Sequence, residues 1–326
     1  MTYARDLLPD GYLARSPVRE DAAEVAALMA ASDIADTGRA DISVDELLSD
    51  WGTVDLADEA VAVIDAGGAI RAYADVLTRR YIDTTLYPYV DPAHRGRSLG
   101  RYLAAWVEEW VRAHLDRAPE NARIMVKQFV NQLNQGAKRL VEAQGYEGVR
   151  TTYWMAIVLE EPLPEPLVPE GISIRRYLPE QDERRTFDAL EDSFKDLWGR
   201  PPGTLERFHK IVTAEGFDPD LYYLAEDGAE VAGICLTSEA SGNGWIATLG
   251  TNPRWRGRGL GLAMLHHAFG EFYRRGTRRV SLSVDAQSPT GAPRLYSRAG
   301  MEVEKTFTLC EKELRPGEDL STYQGG

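Results

Sequence analysis

The alternation of apolar and polar positions changes period in the same order twice along the chain. In the first half an apolar run from Ala60 to Asp65, a Gly67-Gly68 turn and a second run from Ile70 to Leu77 lead to a third, Tyr81 to Val90. In the second half Leu221 to Glu226, a turn at Asp227-Gly228 and Glu230 to Thr237 lead to Trp245 to Thr251. Short apolar runs bounded by glycine turns predict strand–turn–strand meanders. Each meander is followed by a proline, an arginine-rich turn and a stretch of helical period, Leu99 to His114 and Leu260 to Arg274, the latter with Leu262, Leu265 and Phe269 on one face. A strand follows (Arg123 to Lys127; Arg279 to Val284), then a short helix and a last strand. The short helices end alike, at Ala143-Gln144-Gly145-Tyr146 and Arg298-Ala299-Gly300-Met301, where glycine suits a left-handed cap.

The two turns, at Arg95 and Arg256, lie 256 − 95 = 161 residues apart in a chain of 326, so the pattern predicts two copies of one mixed α/β domain. Between them residues 160–171 read EEPLPEPLVPEG, and prolines at 162, 164, 166 and 169 hold such a segment extended. The expected organisation is a first domain over 1–160, a linker over 161–170 and a second domain over 171–326.

A hydrophobic share of 44% and a charged share of 27% exclude a disordered or fibrous chain. No apolar run approaches the roughly 20 residues of a membrane-spanning helix, and Arg5, Asp6 and Asp10 break any signal pattern at the start, which predicts a cytoplasmic protein. Acidic residues number 51 against 37 basic ones, and a net charge of −14 repels phosphate backbones, so nucleic acid is not an expected partner. The same charge suits a cationic substrate such as an amine, and equally plain solubility. Cys235 and Cys310 sit in apolar, strand-like stretches and read as buried thiols, giving neither a disulfide framework nor a zinc site. The adjacent His266 and His267 face different directions on a helix, so no metal is expected there. Trp106 and Trp110, four apart on one helix, form a core or domain-interface pattern.

The chemistry concentrates in the second turn. Glycines at 257, 259 and 261 remove side chains where a strand passes into a helix, so backbone N–H groups at the helix start can converge on an anion. Arg254, Arg256 and Arg258 add positive charge, and the set suits a diphosphate. The spacing is not that of a nucleotide triphosphatase loop, and the turn follows a meander instead of opening a dinucleotide fold.

The run Leu249-Gly250-Thr251-Asn252-Pro253 into Arg256-Gly257-Arg258-Gly259-Leu260-Gly261 resembles the R/Q-x-x-G-x-G/A motif of the GNAT (Gcn5-related N-acetyltransferase) superfamily. Residues 284–301, with Ala292, Leu295-Tyr296 and Gly300-Met301, resemble the family's second signature, N-x-x-A-x-x-L-Y-x-x-x-G-F, with Ser288 in place of the asparagine. The resemblance covers Gly171 to Leu314 well and Gly11 to Leu159 more loosely, and the tandem arrangement is similar to that of actinobacterial mycothiol synthase-like members. It implies two tandem domains, each a mostly antiparallel mixed sheet flanked by helices with a splayed central strand pair. It also implies acetyl-CoA as donor: Leu249, Gly250 and Thr251 would pair with the pantetheine arm, and the amides from Arg256 through Leu260 to Gly261 would hold the pyrophosphate. A primary amine of a small molecule would attack the thioester directly, in a monomer or homodimer and without metal. An O-acyltransferase, a user of longer acyl-CoA and a non-catalytic CoA- or partner-binding protein are the alternatives.

Tyr296 stands where the family often places the proton donor for the departing thiolate, and a phenol with an unperturbed pKa near 10 keeps its proton at neutral pH. Relatives often place a carboxylate on the strand before the turn, but Ile246, Ala247, Thr248 and Leu249 supply none. Glu239 and Asp285 are the nearest candidates for a base, with a water chain as default. Phe194 and Trp198 fall where relatives build the acceptor pocket, ahead of a helix capped at Thr204. In the first domain Val90, Arg95, Gly96, Arg97, Ser98, Leu99 and Gly100 form a possible second CoA site. Ser98 replaces the glycine matching Gly259, Val141 stands at the position of Tyr296, and Asn134 lies one place from the expected asparagine, so this domain reads as non-catalytic.

Overall fold

The computed structural model describes residues 3–40, 42–195, 203–214, 216–240 and 242–320. Regular elements run in chain order as β1 (Tyr12–Arg15), α1 (Ala22–Thr37), α2 (Val44–Trp51), β2 (Ala60–Asp65), β3 (Ile70–Arg79), β4 (Asp83–Val90), α3 (Leu99–Ala113), β5 (Ile124–Asn131), α4 (Gln135–Ala143) and β6 (Glu147–Val158). They continue as β7 (Ile172–Arg176), α5 (Pro179–Phe194), α6 (Leu205–Val212), β8 (Tyr222–Asp227), β9 (Glu230–Ala240), β10 (Asn243–Thr251), α7 (Leu260–Arg275), β11 (Arg279–Asp285), α8 (Ala292–Arg298) and β12 (Glu302–Arg315). Both meanders and both turn helices lie within a few residues of their predicted bounds.

The chain divides into two compact units, one ending at Thr151 and taking in Lys305–Leu320, the other spanning Thr152–Glu304. The first has the strand order β1-β2-β3-β4-β5-β12, antiparallel except for β4 and β5. The second has β7-β8-β9-β10-β11-β6, antiparallel except for β10 and β11. The boundaries thus differ from those read in the sequence, because the closing strand of each half serves the sheet of the other. Residues 152–158 pair with β11 (Val158 opposite Arg279), and β12 pairs with β5 (Phe307 opposite Asn131). A pairing partner that far along the chain leaves no mark in local periodicity.

Each sheet is covered on both faces because successive strand side chains point to opposite sides. In the first unit Val61 and Val63 pack toward Trp106 and Trp110 of α3, whereas Ala60 and Ala62 pack toward Val25, Met29 and Trp51 of α1 and α2. Both indoles of α3 are about 1% exposed, which makes their spacing a core pattern. In the second unit Tyr223 and Cys235 face Met264 and Phe269 of α7, and Tyr222, Leu224 and Ile234 face Ala189 and Phe208 of α5 and α6. Both cysteines are free and buried, and burial pushes the Cys235 thiol up to about 12. Thr204 caps α6 through its hydroxyl, which accepts from Arg207 N–H at 3.2 Å.

The repeat extends to a partly buried ion pair. Arg15 grips Asp21 with two guanidinium nitrogens at 2.5 and 2.8 Å, and Arg175 grips Asp182 at the same two distances. In both units the carboxylate also accepts a backbone N–H at 2.8 Å, from Val18 or Leu178. Burial pushes the Asp182 carboxyl up, but Arg175 and the Leu178 N–H outweigh it and hold the group below its ordinary value. The pair pins β1 to the start of α1 and β7 to the start of α5.

The turns retrace one backbone path. Asn252 and Asp91 each accept the N–H two residues on, opening a short 3₁₀ turn at Pro253 and Pro92. Gly257 and Gly259 then take φ of +77° and +85°, and Gly96 and Ser98 take +78° and +64°. A left-handed residue with a Cβ carries a penalty of about 1–2 kcal/mol, partly offset against glycine by the entropy glycine loses on folding. Ser98→Gly is therefore expected to raise stability by about 1 kcal/mol, read as a higher urea midpoint at unchanged slope. Truncation after Glu304 is expected to unfold or strongly destabilise the first unit, since it strips β5 of its antiparallel partner β12 and leaves only the four-pair ladder with β4; protection of β5 amides in hydrogen exchange checks this.

Candidate active site

The site grows from the parting of two strands. β10 pairs in parallel with β11 only over Asn243, Gly244 and Trp245, although β10 continues to Thr251 and β11 to Asp285. Against its other neighbour, Ile246 lies opposite Thr237 and Thr248 opposite Leu236, so Ala247 is an extra residue. Such a bulge bends its strand and increases the local twist, and here it coincides with the parting of the two strands. Asn252 N–H donates to Ala232 O at 3.0 Å, so by alternation Gly250 also faces β9 while Leu249 and Thr251 turn their backbone groups into the gap.

A cavity of about 940 Å³ fills this gap, lined by Ile246–Thr251, Ser283–Asp285, the turn and α8. Of the predicted cofactor residues, Leu249, Gly250, Thr251, Arg256, Gly257, Gly259, Leu260, Gly261, Ser288 and Tyr296 all line it. Arg258 lies exposed on the turn between the two left-handed glycines and is not among the lining residues. A Cβ built on Gly257 or Gly259 meets nothing within 4 Å, so these glycines serve the backbone path and leave the mouth of the turn open. Gly261 has a different reason: its Cβ would sit 3.0 Å from Leu295, the neighbour of Tyr296, so this glycine lets α8 approach α7.

The arginines divide their work. Arg254 pairs with Glu230 at 2.8 Å and lies over the Trp255 ring, 4.6 Å from its centroid. Arg256 donates Nε to Thr251 O at 3.2 Å and Nη2 to Ser193 O at 3.0 Å, tying the end of α5 to the end of β10. Arg294 and Arg298, which the sequence reading left unassigned, are exposed and line the cavity from α8. Their spacing of four on one helix face is the signal that could have found them. In a protein of charge −14, these side chains and Arg256 make a local cationic wall.

Tyr296 is buried and lines the cavity, and burial raises its hydroxyl above the ordinary phenol value, so it holds its proton throughout the neutral range. Asp285 lines the cavity at the end of β11 and accepts Gln287 N–H at 2.8 Å. Glu239 is not brought to this site. It is exposed, lies opposite Gly244 where β10 and β11 are still paired, and accepts the Thr277 hydroxyl. The reason is that β9 runs on to Ala240, beyond the end predicted at Thr237, and carries Glu239 away from the gap. Phe194 lines the cavity, while Trp198 lies outside the described residues. Among the described residues no group of three or more His, Cys, Asp or Glu is placed to hold a metal, and no helix is long and apolar enough to cross a membrane.

The corresponding region of the first unit is built differently. Strands β4 and β5 also part after four pairs, at Leu86 and Gln128. Asp91 N–H donates to Arg71 O at 2.9 Å, the counterpart of Asn252 to Ala232, so Pro88 and Val90 face the gap. Pro88 has no N–H where Leu249 offers one. Arg95 is held by Asp36 at 2.6 Å and by the Ser32 hydroxyl at 3.0 Å, and Asp36 also accepts from Asn134 at 2.9 Å. Arg97 is exposed, Leu99 is buried, and a Cβ on Gly100 would meet Leu140 at 2.8 Å. Val141 is buried where Tyr296 stands in the second unit; each accepts the N–H five residues on, from Tyr146 and Met301.

Comparison with known proteins agrees with this geometry. The acetyltransferase (GNAT) family matches over residues 41–146 and 184–301. A mycothiol acetyltransferase of Thermobispora bispora is 31% identical over 218 residues, covering 65% of this chain and 70% of that protein. One of Streptomyces bingchenggensis is 27% identical over 230 residues, covering 69% and 71%. Among solved structures, a GCN5-related N-acetyltransferase from Sphaerobacter thermophilus superposes with a TM-score of 0.90 at 46% identity, covering 97% of this chain and all of that one. A tandem GNAT protein from the clavulanic acid biosynthesis pathway shares the fold, with a TM-score of 0.73 at 16% identity, over 94% of this chain and all of that one. With its motifs on a splayed strand pair, twice over in one chain, the protein belongs to the GNAT acetyltransferase family as a tandem member and is an acyltransferase.

Proposed function

We propose that the second unit transfers an acetyl group from acetyl-CoA to a primary amine of a small molecule, by direct attack with both substrates bound. The observation that carries this reading is the gap between β10 and β11, where the β10 edge, an open glycine turn and Tyr296 line one cavity. The donor fits what is present. Backbone groups of Leu249 and Thr251 face the gap and can pair with an amide-bearing arm, and the turn, with Arg256, Arg294 and Arg298 beside it, suits a diphosphate. When bound, acetyl-CoA supplies a thioester carbonyl open to a nucleophile.

The protein's own residues then position and move protons. The β10 edge orients the donor, and most of the acceleration comes from holding amine and carbonyl in attacking geometry. Asp285, the carboxylate among the lining residues, attracts the cationic amine and takes its proton through water. Tyr296, kept protonated at neutral pH by its burial, hydrogen-bonds the departing sulfur and gives it a proton. Pro88, the Arg95–Asp36 pair and Val141 in the first unit support assigning the chemistry to the second.

A thiol-release assay over a panel of amines, with mass analysis of products, tests the reaction, and the amine precursor of mycothiol belongs in the panel because relatives are named for that thiol. Release with hydroxyl acceptors alone would make the protein an O-acyltransferase, and no release with any acceptor would make it a binding protein. Gly259→Asp puts bulk and negative charge at the mouth of the turn and is expected to weaken acetyl-CoA binding at least about tenfold by calorimetry, while Ser98→Asp spares turnover. Tyr296→Phe keeps the ring and its packing but removes the proton; kcat is expected to fall about 10²-fold, with acetyl-CoA affinity and melting temperature little changed.

A further inference from the structure

Ser193, in the last turn of α5, is 7% exposed, and its hydroxyl is buried with no hydrogen-bond partner among the described residues. A buried hydroxyl left in that state is costly, and of the eight such side-chain atoms among the described residues it is the one that belongs to a residue lining the cavity. The hydroxyl itself is covered, so the cavity wall at this residue lies against it without exposing it. The carbonyls beside it, Ser193 O and Thr251 O, already accept from Arg256, so the hydroxyl proton is the unmatched group.

The internal repeat supplies a control. The residue 161 positions earlier is Ser32, whose hydroxyl accepts from Arg95 at 3.0 Å. In the second unit the corresponding arginine, Arg256, reaches the serine's backbone carbonyl instead and leaves the side chain unbonded. The strand opposite differs as well. Tyr89 occupies the first unit's position for Gly250, and at Gly250 a Cβ would lie 2.8 Å from Ser193 Cβ, 2.9 Å from the Phe194 ring and 3.1 Å from Ser193 Oγ. Glycine there brings the β10 backbone directly under the serine hydroxyl. Leu249 and Thr251, on either side of Gly250, are the residues whose backbone groups face the gap.

Resting on the reading of the second unit as an acyl-CoA site, we infer that the Ser193 hydroxyl donates to a carbonyl oxygen of the acyl-thioester arm as it passes Gly250. Ser193 is thus a positioning residue that fixes the arm from the α5 side while the β10 backbone fixes it from the strand side. The accepting oxygen belongs to the thioester or to an amide of the arm, two carbonyls of the same hydrogen-bonding chemistry.

The test compares wild type and Ser193→Ala in the full chain, by calorimetry with acetyl-CoA, CoA and adenosine 3′,5′-bisphosphate, which lacks the arm. Ser193→Ala is expected to weaken acetyl-CoA about 3–10-fold, the usual value of one neutral hydrogen bond, and to leave adenosine 3′,5′-bisphosphate unchanged. The ligand-free melting temperature should stay level or rise, because the substitution removes an unsatisfied buried hydroxyl. A loss confined to acetyl-CoA assigns the bond to the thioester carbonyl, and an equal loss with CoA assigns it to an amide; both support the inference. Unchanged affinity for all three ligands overturns it, as does a parallel loss with adenosine 3′,5′-bisphosphate or a marked fall in the ligand-free melting temperature. Wild-type protein that binds adenosine 3′,5′-bisphosphate but gains nothing from the arm overturns this inference alone, whereas failure of wild type to bind any of the three removes the acyl-CoA reading itself.

Discussion

The second unit is built around the parting of β10 from β11 after Trp245, beside the extra residue Ala247. Had β10 and β11 continued the parallel ladder begun at Asn243–Trp245, the Leu249 and Thr251 backbone groups on that side would be spent within the sheet. Because the strands part, Leu249 and the Thr251 N–H face the cavity instead of a neighbouring strand, where water or a ligand can pair with them, while Thr251 O accepts from Arg256. The features around the gap follow from keeping it open. Glycines at 257 and 259 carry the chain around its mouth in left-handed conformations, Gly261 admits α8 so that Tyr296 reaches the wall, and Arg256 fastens the end of α5 to the end of β10.

The first unit shows that the same scaffold can be spent otherwise. Its turn follows the same path and its central strands also part, yet each element that would present a donor or a charge has another engagement. Pro88 offers no N–H, Arg95 is neutralised by Asp36, the Ser32 hydroxyl is taken by Arg95, and the helix position of Tyr296 holds valine. Asymmetry between the units therefore lies in side chains laid on a similar backbone path, together with the β10 bulge that β4 lacks, and it reinforces the proposal that the chemistry belongs to the second.

Much of this was legible in the residues because it is local. Period-two runs, glycine turns and the helical stretches after them depend on neighbours within a few positions, so both meanders and both turn helices could be bounded to within a few residues. The turn was legible because φ beyond +60° selects glycine, and the motif around Tyr296 was legible because spacing on one short helix fixes which residues share a face. Pro88 was equally readable, standing 161 positions before Leu249, but its meaning depends on which strand edge faces the gap.

What the sequence by itself determined is the repeat, the elements, the family and the residues of the turn, all set by short-range backbone preferences and fixed spacings. The tertiary structure decided which strands close each sheet, since pairing between β12 and β5 or β6 and β11 is a contact across many residues with no local signature. It also decided which carboxylate meets the cavity. Glu239 and Asp285 looked alike as isolated acidic residues at strand ends, and only the register of β9 against β10, together with the parting of β10 from β11, carries one away from the gap and leaves the other on its wall.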